Sequence, residues 1–201
     1  MPNKYGMLVD LKRCIGCYSC IMACKQDHGV VAGKRWNRVT TVGPIGKFPN
    51  VRMHYVYTQC MHCEKPPCVD ACPTGALYKR DDGIVLVDES KCRACFDLCE
   101  DACPYKALAR DTARGKQTKC TLCVERLEVG EQPLCVQTCV TQALIFGKVE
   151  ELPKLMAARV KGLPTHRLLV EQKTSPSLQY NKEPELGTTR GRRGKVYIDV
   201  T

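Results

Sequence analysis

Of 201 residues, 16 are cysteine, about one in twelve, whereas 15 are glycine, 12 are proline and only 6% are aromatic. Cysteine at that density marks a framework built on sulfur and excludes a large aliphatic core. The formal charge of +10 raises the question of nucleic acid, and no apolar run of about 18 residues is present to form a bilayer span.

The first residues, Met1-Pro2-Asn3-Lys4-Tyr5, show neither an apolar signal segment nor a twin arginine. By its own sequence the chain is therefore expected to be cytoplasmic. Disulfides belong to oxidising compartments, and dense cysteine inside a cell more often holds metal. Metal also changes the charge count. Four four-iron clusters on four thiolates each, about −2 per site, would cancel roughly eight positive charges. No nucleic-acid partner is expected.

In chain order, the strand Leu8-Val9-Asp10 feeds the first group, Cys14, Cys17, Cys20 and Cys24, spaced C-x2-C-x2-C-x3-C. This is the bacterial ferredoxin spacing. Three cysteines wrap one cube and the fourth, at the start of the following helix, ligates the neighbouring cluster. Gly16 lets the loop pass close to inorganic sulfide. The second group, Cys60, Cys63, Cys68 and Cys72, has Pro66-Pro67 in its longer gap and Pro73 after its last member. Asp81-Asp82-Gly83 then turns the chain into the strand Ile84-Val85-Leu86-Val87. The third group is Cys92, Cys95, Cys99 and Cys103, followed by Pro104. In the fourth, Cys120, Cys123, Cys135 and Cys139, eleven residues separate the second and third members and Val140 replaces the proline.

Duplication is visible. Cys72-Pro73-Thr74-Gly75-Ala76-Leu77 recurs as Cys103-Pro104-Tyr105-Lys106-Ala107-Leu108 and as Cys139-Val140-Thr141-Gln142-Ala143-Leu144. The approach Leu8-Val9-Asp10 to Cys14 recurs as Leu86-Val87-Asp88 to Cys92. Groups two and three form one two-cluster ferredoxin, which leaves group one to exchange its fourth ligand with group four. The expected clusters are held by Cys14, Cys17, Cys20 and Cys139; by Cys120, Cys123, Cys135 and Cys24; by Cys60, Cys63, Cys68 and Cys103; and by Cys92, Cys95, Cys99 and Cys72. The fold expected is α+β: two nested ferredoxin-like units of short strands, short helices and long loops, plus a C-terminal helix and extended arm. Residues 1–53 with 111–149 make unit one, 54–110 an inserted unit two, and 150–201 the helix and partner-binding arm. Four zinc sites are the competing reading, but zinc usually takes two separated C-x2-C knuckles, and three of these groups are compact.

From Tyr5 to about Gly147 the chain resembles the four-cluster iron–sulfur subunits of molybdopterin oxidoreductases, notably the dimethyl sulfoxide reductase type. The resemblance is carried by Tyr5-Gly6 with Val9-Asp10, Cys60-Met61-His62-Cys63-Glu64, Pro67-Cys68, Lys79-Arg80-Asp81-Asp82-Gly83, Thr118-Lys119-Cys120, Arg126, Gly130 and Pro133-Leu134-Cys135-Val136. It implies four [4Fe–4S] clusters. It also implies relay between a large catalytic molybdopterin (Mo or W) subunit, next to groups one and four, and an integral-membrane quinone-reactive anchor, toward groups two and three. A signal-bearing catalytic partner can carry such a subunit across a membrane in this family. The chain departs from the pattern in the three residues Phe96-Asp97-Leu98, where relatives commonly have two, and in the missing proline after Cys139. Without a nucleophile–base constellation, phosphate loop or substrate pocket, it reads as a non-catalytic wire; a free-standing polyferredoxin carrier is the alternative.

Lys119 and Arg93, each beside a ligand, either raise a cluster potential or are solvated cations. His62 either packs locally or meets a cluster. Trp36 anchors a partner or packs on its own unit. Arg35, Arg38, Arg190, Arg192 and Arg193 meet an acidic partner or are solvated. Glu150 to Lys161 reads as a helix burying Leu152, Leu155, Met156 and Val160. Residues 171–195 are polar and aperiodic, so alone they would be flexible, and Lys195 to Val200 adds a final strand.

Overall fold

The computed structural model describes residues 4–159, 165–181, 186–187 and 196–197. Strand β1 (Tyr5–Val9) leads into the first cysteine loop and helix α1 (Ser19–Asp27). A hairpin of β2 (Asn37–Lys47) and β3 (Asn50–Gln59) then carries the chain to group two. There follow α2 (Pro67–Asp70), the hairpin β4 (Leu77–Lys79) with β5 (Val85–Val87), and α3 (Phe96–Ala102) in group three. The next hairpin is β6 (Leu108–Asp111) with β7 (Lys116–Lys119), and α4 (Val124–Glu128) and α5 (Leu134–Gln137) belong to group four. Strand β8 (Leu144–Lys148) returns antiparallel to β1. Mixed short helices and small sheets are thus present as expected. The β2–β3 and β6–β7 hairpins run across positions 53/54 and 110/111, where the sequence divides the two units.

The helices differ from expectation. The spacing places a helix start at each fourth cysteine; instead each helix carries the third. Cys20 and Cys24 both lie on α1, Cys68 lies on α2, Cys99 on α3 and Cys135 on α5, and the last three helices stop at or just before Cys72, Cys103 and Cys139. The C-x3-C spacing is about one helical turn, so third and fourth cysteines share a face. After the fourth, a residue with positive φ at Gly75 (63°), Lys106 (45°) and Gln142 (53°) turns the chain beyond the helix that has already ended.

Helix α6 (Leu152–Arg159) covers the β1–β8 pair. Leu152 is 2% exposed. Gly6 and Gly147 are register partners; a Cβ on Gly6 would come within 2.7 Å of Leu152 Cδ1, and one on Gly147 within 3.0 Å of Leu155 Cδ1. Two facing glycines therefore let the helix sit down on the sheet. Val160 lies outside the described residues.

The expected flexibility of residues 171–195 is corrected at its start. A 3-10 turn (Val170–Gln172) leads into β10 (Leu178–Asn181), which lies parallel to β1 in the sheet order β8, β1, β10, β9, where β9 is Thr165–His166. Tyr180 is fully buried and its hydroxyl donates to the Tyr57 carbonyl at 2.8 Å. Asn181 Oδ1 accepts from the Leu11 N–H at 2.7 Å. Polar residues here satisfy backbone groups in the core, a pattern that periodicity does not reveal. Val196–Tyr197 pair with Leu186–Gly187; the other residues of the expected last strand, and Arg190, Arg192 and Arg193, lie outside the described residues. Among the described residues no helix is long and apolar enough to cross a membrane.

Candidate metal centres

All four groups open on the same loop. The residue before the second cysteine, Gly16, His62, Ala94 or Leu122, has φ of 69°, 42°, 59° and 59°. Three of the four carry a side chain, so the loop itself does not demand glycine. At position 16 the demand comes from Tyr55, whose ring atoms would lie 2.5–2.9 Å from an added Cβ. Glycine at 16 therefore admits an aromatic ring against the loop.

The repeats in the sequence have a structural cause. After the fourth cysteine, Gly75, Lys106 and Gln142 each donate their N–H back to the carbonyl of Cys72, Cys103 and Cys139. The turn aims following amides at sulfur: Ala143 N–H reaches Cys139 Sγ at 3.2 Å and Leu77 N–H reaches Cys72 Sγ at 3.5 Å. Ala107 N–H does the same at Cys103. Ala76, Ala107 and Ala143 are all buried. Asp10 N–H donates to the Ala143 carbonyl at 2.8 Å, and Asp88 N–H donates to the Ala76 carbonyl at 2.7 Å. The repeated aspartate before one group thus grips the repeated alanine after another: group one with four, group three with two.

All sixteen cysteines are free thiols. Cys14 and Cys20 lie within electrostatic reach of Cys17 and Cys139; Cys24 of Cys123 and Cys135; Cys120 of Cys24 and Cys135. Cys63 and Cys68 feel Cys60 and Cys103, and Cys99 feels Cys72 and Cys95. One pocket is lined by Cys72, Cys92, Cys95 and Cys99, with Phe96 and Gln117 in its wall. Burial pushes the thiols of Cys20, Cys24, Cys63 and Cys135 up to about 12 and that of Cys99 to about 11. Burial also raises Cys72, but amide and hydroxyl donors from Leu77 and Thr74 outweigh it and leave this thiol lowered.

Dry sulfurs that repel one another as thiolates fit a multivalent cationic centre. Sulfurs tetrahedral around zinc, at bonds of about 2.3 Å, would lie roughly 4 Å apart. Among the described residues the one trio of candidate ligand atoms within 4.8 Å of one another is His28, Cys123 and Glu125, so no cysteine quartet closes on a point. The spacing suits a larger inorganic group.

Beside the ligands, His62 is buried and its Nδ1 accepts from the Val85 N–H at 3.1 Å, a packing role. Trp36 packs on its own unit, with its ring 4.9 Å from that of His28 and its Nε1 donating to Thr118 Oγ1 at 3.1 Å. Arg38 is tied to the carbonyls of Tyr105 and Lys106, whereas Arg35 and Arg93 are exposed. Lys119 is buried. Phe96 and Asp97 of the longer third loop form the first turn of α3 and are held by Arg110, which also pairs with Glu100 at 2.8 Å. Three groups escape the sequence reading. His28 Nε2 is 3.3 Å from Cys123 Sγ; its spacing four residues after Cys24 was a signal. Tyr57 bonds Cys135, and Gln59 Oε1 faces Cys120 Sγ at 3.6 Å; nothing local marks either.

Models of 4Fe–4S dicluster domains match residues 51–149 and 13–76. A chain of the anaerobic dimethyl sulfoxide reductase of Escherichia coli is 38% identical over 77% of this chain and 78% of its own length. The chain belongs to the 4Fe–4S dicluster family. A subunit of the sulfite dehydrogenase of Allochromatium vinosum is 36% identical over 89% of the chain and 82% of its own length. The thiosulfate reductase electron transfer subunit of Salmonella typhi is 42% identical over 75% and 79%. This dicluster protein carries four [4Fe–4S] clusters and is a non-catalytic electron-transfer subunit of an oxidoreductase complex.

Proposed function

We propose that the chain relays electrons between a catalytic molybdopterin (Mo or W) subunit and a quinone-reactive membrane anchor, through two nested ferredoxin-like units. Residues 1–53 with 111–149 form the outer unit, 54–110 the inserted one, and 150–201 a cover that continues into a partner-binding arm. The four clusters are assigned to Cys14, Cys17, Cys20 and Cys139; to Cys24, Cys120, Cys123 and Cys135; to Cys60, Cys63, Cys68 and Cys103; and to Cys72, Cys92, Cys95 and Cys99. The observation that supports this reading is that the fourth cysteine of each group lies within electrostatic reach of cysteines of its paired group, Cys139 of Cys14, Cys24 of Cys135, Cys103 of Cys68 and Cys72 of Cys99, and that the Asp10–Ala143 and Asp88–Ala76 amide bonds tie the same pairs of groups.

When bound, a [4Fe–4S] cluster takes up and returns one electron. The chain's own part is to hold the sulfurs rigidly and dry. Fixed amide donors at Cys72, Cys92, Cys120 and Cys139 stabilise charge on sulfur without moving. The quartets follow one another: Cys20 lies near Cys135, Cys120 near Cys60, and Cys68 packs in one apolar cluster with Cys99. Cys17 is exposed, and so are the apolar side chains Ile15 and Met22 of group one and Val140 after Cys139 of group four, a composition suited to the catalytic partner. Size-exclusion chromatography of the native complex tests the reading. Copurification with a large pterin-containing chain supports it; a lone chain with four clusters that docks to no such partner overturns it.

A further inference from the structure

Lys119 stands at the junction of the two units. It is 2% exposed, and its ammonium donates to the carbonyl of Cys120 at 2.6 Å and to that of Val85 on β5. Among the described residues no carboxylate pairs with it. A buried cation satisfied only by carbonyl dipoles is costly unless another negative charge lies near. The nearest candidates are sulfur. Lys119 sits within electrostatic reach of Cys120, from one unit, and Cys68, from the other, and stabilises the thiolate at both. Its acceptor is itself held: His62 accepts the Val85 N–H at 3.1 Å while Lys119 holds the carbonyl of the same residue.

We infer that Lys119 is an internal counter-cation shared by the two inner clusters, one on Cys24, Cys120, Cys123 and Cys135 and the other on Cys60, Cys63, Cys68 and Cys103, which raises the potentials of both. Uptake of one electron at either site adds one negative charge, forms and breaks no bond, and leaves the ammonium its proton. The fixed charge favours the reduced form at both inner sites, while the two outer sites lie beyond Cys135 and Cys99. This inference rests on the ligand assignment proposed above.

The test is a potentiometric EPR titration of the cluster-loaded protein, with iron and acid-labile sulfide measured on every sample. Four clusters in the unsubstituted protein check the assignment by themselves. Lys119→Met should then lower both inner potentials by about tenfold in the reduction equilibrium, or about 59 mV for one electron, while the outer pair stays. Lys119→Arg, which keeps the charge, should stay within about threefold of the unsubstituted protein. Unchanged inner potentials in Lys119→Met, an equal fall at all four sites, or as large a fall in Lys119→Arg overturns the inference. Should Lys119→Met and Lys119→Gln both lose the inner pair while Lys119→Arg holds four clusters, the charge requirement stands; loss in all three variants overturns it.

Discussion

Two glycines with nearly the same dihedral answer to different constraints. Gly16 and Gly75 have φ of 69° and 63°, yet a Cβ at 75 meets nothing within 4 Å while one at 16 enters the Tyr55 ring. Gly75→Ala should cost only backbone strain, about 1 kcal/mol. Gly16→Ala adds overpacking and should cost about 2–4 kcal/mol in all, read as a larger fall in the thermal midpoint of the loaded protein. Combining it with Tyr55→Ala should return much of the difference. The two glycines look alike in sequence because the ring comes from forty residues away.

At the scale of elements, each third cysteine sits on a helix with the fourth one turn on, and under the proposed assignment that fourth cysteine serves the neighbouring site. Cys72→Ala and Cys99→Ala should therefore abolish the same EPR signal, whereas Cys72→Ala and Cys68→Ala should abolish different ones. Identical losses from Cys68 and Cys72 would show that group two holds its own cluster. The spacing made the groups legible, since one turn of helix is a local matter. It misplaced the helices relative to the cysteines, because no residue type marks their ends: α2, α3 and α5 close on Ala71, Cys103 and Thr138, and the left-handed turn that follows is taken by Lys106 and Gln142 as well as by Gly75. Strand β10 escapes periodicity for a related reason. Asn181 and Tyr180 are polar-capable residues whose burial depends on acceptors and donors in distant strands.

Across the whole molecule, sulfur lines much of the interior: ten of the sixteen cysteines are buried. Removing iron and sulfide leaves those buried thiols protonated and without the centre that joins distant segments, so apoprotein should lose near-UV dichroism and amide protection together; native-like protection without clusters would refute this. The C-terminal segment closes the sheet against β1. Tyr180→Phe should cost about 1–3 kcal/mol by leaving the Tyr57 carbonyl without its donor, measured by chemical denaturation of the loaded protein. Deleting residues 165–201 should cost far more, and before any partner is added, since it uncovers the β1 edge.

The sequence by itself determined the chemistry: sixteen thiols in four groups and the count of clusters, both set by spacings of a few residues. Only the tertiary structure decided that Lys119 is buried with no carboxylate paired to it among the described residues, that a ring forbids a side chain at 16, and that a polar C-terminal strand lies beside β1. Ligand loops are short-range geometry, whereas burial and strand pairing depend on which distant segments arrive, and no local pattern encodes that arrival.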